Sequence, residues 1–225
     1  MFVYRFAILG DMDKTHKTID EFAKNQSDFT FVQIGAYDGI TGDPIFDFVK
    51  KYHWKGVLVE PQAGAFATLT ANYAGQKDII LENAAIAAED GHAMLYGVRP
   101  TSDDNYNHGQ LHSFNKETIL KHAHMVKDLA NRIEQYEVRT LTLESLLKKH
   151  NLSQLDLLQI DTEGYDYEII KQINFDTTKP RLIHFEHKHL LPEDLQKCYR
   201  LLEQHGYSLE FGEYNTLAHT PSPKQ

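Results

Sequence analysis

The stretch Phe31-Val32-Gln33-Ile34-Gly35-Ala36-Tyr37-Asp38-Gly39 constrains this chain more than any other. Phe31, Val32 and Ile34 suit a buried strand. Gly35 and Gly39 suit a backbone that turns sharply and admits another group at close range. A second short apolar run, Gly56-Val57-Leu58-Val59, ends in Glu60-Pro61. Strand, glycine loop, helix, strand, acid is a nucleotide-binding order. A carboxylate ending the second strand can accept hydrogen bonds from both hydroxyls of a ribose.

The rest of the chain keeps alternating. Helical spacing of apolar residues predicts helices over about 14–26, 44–52, 62–74, 115–134, 143–149 and 165–173, with a last one from Pro192 to a stop at Gly206. Asp43 is the expected N-cap of the second helix, with Pro44 as its first residue. Strands are predicted at 56–60, 79–86, 93–98, 138–141, 155–160 and 181–187, and residues 207–211 and 215–219 read as a terminal antiparallel hairpin. Residues 99–112 are polar and turn-rich, and 99–134 reads as a loop–helix insertion on the substrate side. Strands alternating with helices imply an α/β fold with a mostly parallel, seven-stranded, Rossmann-like sheet and right-handed crossovers. One domain over residues 1–225 is expected. In such sheets ligands lie beyond the C-terminal strand ends. Gly35–Gly39, Glu60, Asn83–Ala84, Asp161–Gly164 and Glu186–His187 all fall there.

Composition excludes several classes. A formal charge of −9 and a pI near 5.8, with no basic stripe, argue against a nucleic-acid partner. The single cysteine, Cys198, can form neither an intrachain disulfide nor a cysteine zinc site. It shares a helix face with Leu195 and Leu202, which reads as core. No apolar run approaches a membrane span. Met1–Leu9 is short and carries Arg5, so it is not read as a signal peptide, and a cytoplasmic protein is expected.

A dinucleotide site wants Gly-x-Gly-x-x-Gly packed onto a helix. Gly35-Ala36-Tyr37-Asp38-Gly39 lacks the Gly-x-Gly, and no Gly-Lys-Ser/Thr loop is present. The loop suits a ligand without phosphates. S-adenosylmethionine fits, with a ribose for Glu60 and cationic groups for an acidic pocket.

Here the chain resembles the FkbM family of S-adenosylmethionine-dependent methyltransferases. The resemblance rests on Val32–Gly39, Leu58-Val59-Glu60-Pro61, Asn83-Ala84-Ala85-Ile86, Leu141-Thr142-Leu143-Glu144 and Leu158-Gln159-Ile160-Asp161-Thr162-Glu163-Gly164. It covers residues 31–187 and implies the class I methyltransferase fold. Gln33, Tyr37 and Gln159 depart from residues common in the family or fold. The Asp/Asn-Pro-Pro-Tyr motif of amino-methyltransferases is absent, which favours oxygen as the methyl acceptor.

Gln33, Gly35, Ala36, Tyr37, Asp38, Gly39, Glu60, Pro61, Asn83, Ala84 and Asp161 are the candidate cofactor residues. Asp161, Glu163, Glu186 and His187 are the candidate catalytic groups, with His187 the first choice of base. Asp161, Glu186 and His187 are a candidate divalent-metal set. Bland readings stand beside these: Asp161 as a helix cap, Glu163 as a dipole partner, His187 as a structural histidine. Tyr106, His108, His112 and Ser113 are candidate substrate contacts in the loop. His122 and His124, two apart on a helix, should not share a metal. The expected activity is O-methylation of a small molecule or glycan. The alternatives are an NAD-dependent oxidoreductase and a cofactor-binding module without turnover.

Overall fold

Alternate residues of a strand point to opposite faces, and a strand apolar on both faces belongs inside a covered sheet. The computed structural model, which describes residues 4–24, 26–99, 101 and 110–221, shows this for β1 (Thr30–Ile34). β1 lies between β2 (Lys55–Val59) and β8 (Leu157–Ile160), parallel to both. β3 (Ile79–Glu82) extends the sheet beyond β2, and β9 (Leu182–Glu186) extends it beyond β8, both parallel. β11 (Asn215–His219) joins β9 antiparallel and pairs with β10 (Ser208–Phe211) at the edge. The order is β10-β11-β9-β8-β1-β2-β3, the expected seven strands with their terminal hairpin.

Val32, Val57, Leu158 and Ile183 are in register on one face. They pack with Leu146 of α6 (Leu143–Lys149), Ile169 of α7 (Asp166–Ile170), and Cys198 and Leu202 of α8 (Pro192–Gln204). Phe31, Leu58, Leu157 and Leu182 point the other way. They meet Ile19 and Phe22 of α1 (Tyr4–Ala23), Val49 of α2 (Phe46–Tyr52) and Leu69 of α3 (Ala63–Asn72). Each such side chain, fully buried, stabilises the fold by about 1.5–3 kcal/mol. Cys198 is core, and burial, with the nearby Asp166 charge, pushes its thiol up to about 12. Among the described residues no helix is long and apolar enough to cross a membrane.

Beside this sheet stands a second one of four strands, in the order β4-β7-β5-β6. β4 is Ala85–Ile86, β5 is Gly91–Val98, β6 is His112–Ser113 and β7 is Ile133–Leu141. It corrects three expectations. The predicted strand 79–86 is two strands in different sheets, because the Asn83 side chain donates to the Glu60 and Pro61 carbonyls and bends the chain between them. The predicted extended piece 138–141 is the end of the nine-residue β7. The predicted helix 115–134 is broken into α4 (Lys116–Leu120), a 3-10 turn (Lys121–His124) and α5 (Leu129–Arg132). Asp128 takes a left-handed backbone (φ 55°), and the buried Arg132 donates to the Arg99 and Lys127 carbonyls. α1 also begins ten residues before the predicted position 14. Tyr106 and His108 lie outside the described residues.

Candidate active site

The C-terminal ends of β1, β2 and β8 converge on a cavity, and the second sheet closes it from the side. Of the candidates named from the sequence, Gln33, Gly35, Ala36, Tyr37, Glu60, Pro61, Ala84, Asp161 and Glu163 line it. So do Thr41, Asp43, Gln62, Leu95, Gln110, His112, Phe114 and Tyr165, of which the sequence marks only His112 as a candidate ligand contact and Asp43 only as a helix cap.

Gly35 makes the entry possible. Its φ is +82°, and a Cβ there would sit 1.8 Å from the Asp161 carbonyl oxygen. The loop after β1 and the end of β8 touch backbone to backbone, which only glycine allows. Gly35 and Ala36 both donate to the Val59 carbonyl, and Asp161 donates its N–H to the Ile34 carbonyl. The loop is fixed on both sides.

Glu60 is 3% exposed. Its Oε2 accepts from the Tyr37 N–H at 2.8 Å and its Oε1 from the Gln62 N–H at 2.8 Å. Each carboxylate oxygen has two lone pairs, so acceptor capacity remains toward the cavity. Burial pushes its carboxyl up to about 7, against the lowering effect of the two backbone donors. Gln33 donates to Asp43 Oδ2 at 3.0 Å, while its buried Oε1 has no hydrogen-bond partner. Asp43 also accepts from the Ile45 and Phe46 N–H groups, but α2 begins at Phe46 with Ile45 as its N-cap, two residues later than expected, so Asp43 ties the turn that leads into the helix and Pro44 lies before it.

Asp38, Gly39 and Asn83 do not line the cavity. Asp38 accepts from the Ile40 and Thr41 N–H groups and from Thr41 Oγ1, so it ties the loop to itself. Gly39 lies against Tyr73 and Leu69 where no side chain would fit. Asn83 shapes the chain after β2, as described.

Four carboxyls crowd the next two strand ends. Asp166 is fully buried and accepts from Thr162 Oγ1 at 2.8 Å and the Glu186 N–H at 3.1 Å, so it joins the end of β8 to β9. Glu163 has a left-handed backbone (φ 50°), and its carbonyl accepts from Ser113 Oγ of β6 at 2.9 Å. Ser113, an expected substrate contact, thus docks the second sheet. Desolvation pushes Glu163 up to about 8 and Asp166 to about 7, with the Asp161 charge adding to both. Desolvation and the neighbouring acids also raise Glu186. Asp161 stays accessible to water, and desolvation raises its carboxyl to about 6, less than those of Glu163 and Asp166.

Glu186 and His187 do not line the cavity. His187 Nδ1 lies 2.9 Å from Thr216 Oγ1 on β11. The histidine that reaches the carboxyls is His189, whose Nε2 is 3.2 Å from Glu163 Oε2 and 3.7 Å from Glu186 Oε2. Burial pushes the His189 imidazole down to about 4 and raises Glu163, and despite the short approach no hydrogen bond of good geometry joins them. Gln62 Nε2, at the start of α3, donates to Nδ1 of His112 on β6 of the small sheet, and both residues line the cavity. Burial pushes His112 down to about 4, which keeps that acceptor unprotonated.

These shifts set a pH dependence. Above about pH 7 the unfolded chain has released its carboxyl and imidazole protons. The folded chain still holds protons on Glu163 and, in part, on Asp166 and Glu60. The folded state then binds more protons, so stability falls as pH rises. Thermal melting of metal-free protein should show a loss of about 2 kcal/mol, roughly 4–8 °C, between about pH 7 and about pH 8.5. Glu163→Gln should flatten that slope. A melting temperature that rises over this range would mean the carboxyls are already ionised in the fold.

The comparisons with known proteins agree with this layout. The methyltransferase FkbM domain matches residues 33–209. This chain belongs to the FkbM methyltransferase family. No curated protein matches its sequence. Among solved structures, a methyltransferase FkbM from Methylobacillus flagellatus is similar, with a TM-score of 0.53 at 11% identity, covering 86% of this chain and 44% of that one. The chain therefore spans under half the length of that relative. The N-terminal domain of human METTL16 is similar with a TM-score of 0.50 at 12% identity, covering 93% of this chain and 69% of that one. Such likeness shows the fold, which is the Rossmann-like class I methyltransferase fold. FkbM membership implies S-adenosylmethionine as cofactor, and the cavity fits it. Glu60 keeps acceptor capacity for a ribose, and Gln33 Oε1 is a buried acceptor without a donor.

Proposed function

We propose that this chain, one domain with the small sheet and residues 99–134 on its acceptor side, transfers a methyl group from S-adenosylmethionine to a hydroxyl of a small molecule or glycan. One observation carries the choice of cofactor. Asp43, Glu60, Asp161 and Glu163 line the cavity, and among the described residues that line it there is no lysine or arginine. That wall suits a ligand with ammonium and sulfonium charges and repels a diphosphate, which disfavours NAD.

Bound S-adenosylmethionine supplies a methyl group already activated by its sulfonium centre. Glu60 holds the ribose hydroxyls, and Gln33 with the Gly35–Tyr37 backbone holds the methionyl end. Pro61, Ala84, Leu95 and Phe114 give apolar walls for the base and exclude water. Asp161 and Glu163 face the acceptor. A hydroxyl needs a proton acceptor whose pKa lies near working pH, and Asp161, raised to about 6, is ionised at neutral pH and lines the cavity. It replaces His187 as our choice of base, since His187 stands outside the cavity lining.

Calorimetric titration with S-adenosylmethionine and then with NAD tests this directly. Micromolar binding of the first and none of the second is expected. NAD binding, or neither, would overturn the reading. Binding without methyl transfer to any member of a hydroxyl library would leave a non-catalytic module.

A further inference from the structure

Glu163 faces two ways. It lines the cavity, and behind it lie two histidines that the methyl-transfer reading does not use. The 3-10 turn at Lys121–His124 turns His122 inward, where it is 5% exposed, and leaves His124 on the surface. His122 Nδ1 lies 3.2 Å from the Thr118 carbonyl oxygen. That contact places the ring proton on Nδ1 and the lone pair on Nε2, the arrangement of a metal-ligating imidazole. His189, in the loop after β9, is also buried, and its ring centroid is 4.9 Å from that of His122.

One ligand atom from each of His122, Glu163 and His189 falls within 4.8 Å of the others. Ligands about 2.1 Å from a tetrahedral ion are about 3.4 Å apart, so side-chain adjustments of an ångström or less would close the set. A second observation points the same way. Glu163 Oε2 and Glu186 Oε2 are buried without a hydrogen-bond partner, and both lie beside His189. Buried carboxylate oxygens are rarely left so, and an ion between the histidines would satisfy that of Glu163.

We propose that His122, Glu163 and His189 bind a divalent transition-metal ion of the zinc type. Two imidazoles favour such an ion over magnesium or calcium, which prefer oxygen alone. An open fourth position toward the cavity would let the ion take the acceptor hydroxyl and lower its pKa. That use rests on the methyl-transfer reading, but the site itself does not.

The test is zinc titration of chelator-treated protein by calorimetry, with cobalt absorption spectra as the structural readout. One equivalent of zinc is expected. His122→Ala and His189→Ala should each weaken it about 100-fold, while the exposed His124→Ala should leave it unchanged. Cobalt should give visible bands of a low-coordinate site with imidazole ligands in the unaltered protein, which keeps the proposal testable if a variant fails to fold. No bound equivalent, zinc affinity indifferent to both histidines, or binding of magnesium alone and its loss in Asp161→Asn would each overturn it. The last would assign the ion to the all-oxygen set Asp161, Glu163 and Glu186. S-adenosylmethionine titrated into the same samples reports on the cofactor reading independently of the metal.

Discussion

Glu60→Ala should weaken S-adenosylmethionine binding at least about 100-fold while the protein stays folded. Two hydrogen bonds from a ribose to a buried carboxylate are worth about 1.5–3 kcal/mol each, and 100-fold is about 2.7 kcal/mol. The variant also strands the Tyr37 and Gln62 N–H groups that Glu60 now accepts from. Water can reach the space left by the side chain, so that loss should cost about 1–3 kcal/mol and lower the melting temperature by several degrees without unfolding the chain. Calorimetry and melting curves on the same sample separate the two effects. An unchanged dissociation constant with a lowered melting temperature would make Glu60 a brace for the loop and remove the ribose contact.

Gly35→Ala should be the most damaging single substitution in the loop. The new methyl would lie 1.8 Å from the Asp161 carbonyl oxygen and 2.9 Å from its carbon, at a φ of +82°. Neither backbone can yield, because Gly35 is bonded to Val59 and Asp161 to Ile34. A loss above about 4 kcal/mol is expected, seen as poor soluble yield or a melting temperature lower by at least about 10 °C. Gly42→Ala is the control. Its φ is +71°, but a Cβ there meets nothing within 4 Å, so only the backbone preference of about 1–2 kcal/mol should be lost. Equal melting temperatures for the two variants would show that the approach of β1 to β8 is loose.

The central sheet was legible because parallel strands buried on both faces read as short apolar runs, interrupted by one glutamine at most, that are followed by Gly or an acid. Phe31–Ile34, Gly56–Val59 and Leu157–Ile160 all have this form. The second sheet was not. Ile119, Val126, Leu129 and Ile133 keep helical spacing, yet the chain breaks at Asp128, and Tyr136, Val138 and Thr140 already alternate as a half-exposed strand. Two periods overlap there, and the longer window hid the shorter one. At the site, Gln33, Glu60 and Asp161 were found because an isolated polar residue at a buried strand end is conspicuous. His189 was not, because Glu186-His187-Lys188-His189 offers two histidines, and only the fold shows which one meets Glu163. Local turn bonds at Asp38 and a longer-range bond at Asn83 likewise made these residues loop ties, which spacing alone cannot distinguish from ligand contacts.

Two sheets meet along one cavity, and the chain crosses between them at Asn83 and returns at Leu141–Thr142. The strand ends that suit a common donor stay with the larger sheet, whereas Leu95, His112 and Phe114 arrive on the excursion between those crossings. The wall that the excursion contributes can therefore change, in evolution or by engineering, as a single cassette. A graft at these two points would replace one wall of the cavity, Leu95, His112 and Phe114 included, and leave Gln33, Gly35, Glu60 and Asp161 where the larger sheet holds them.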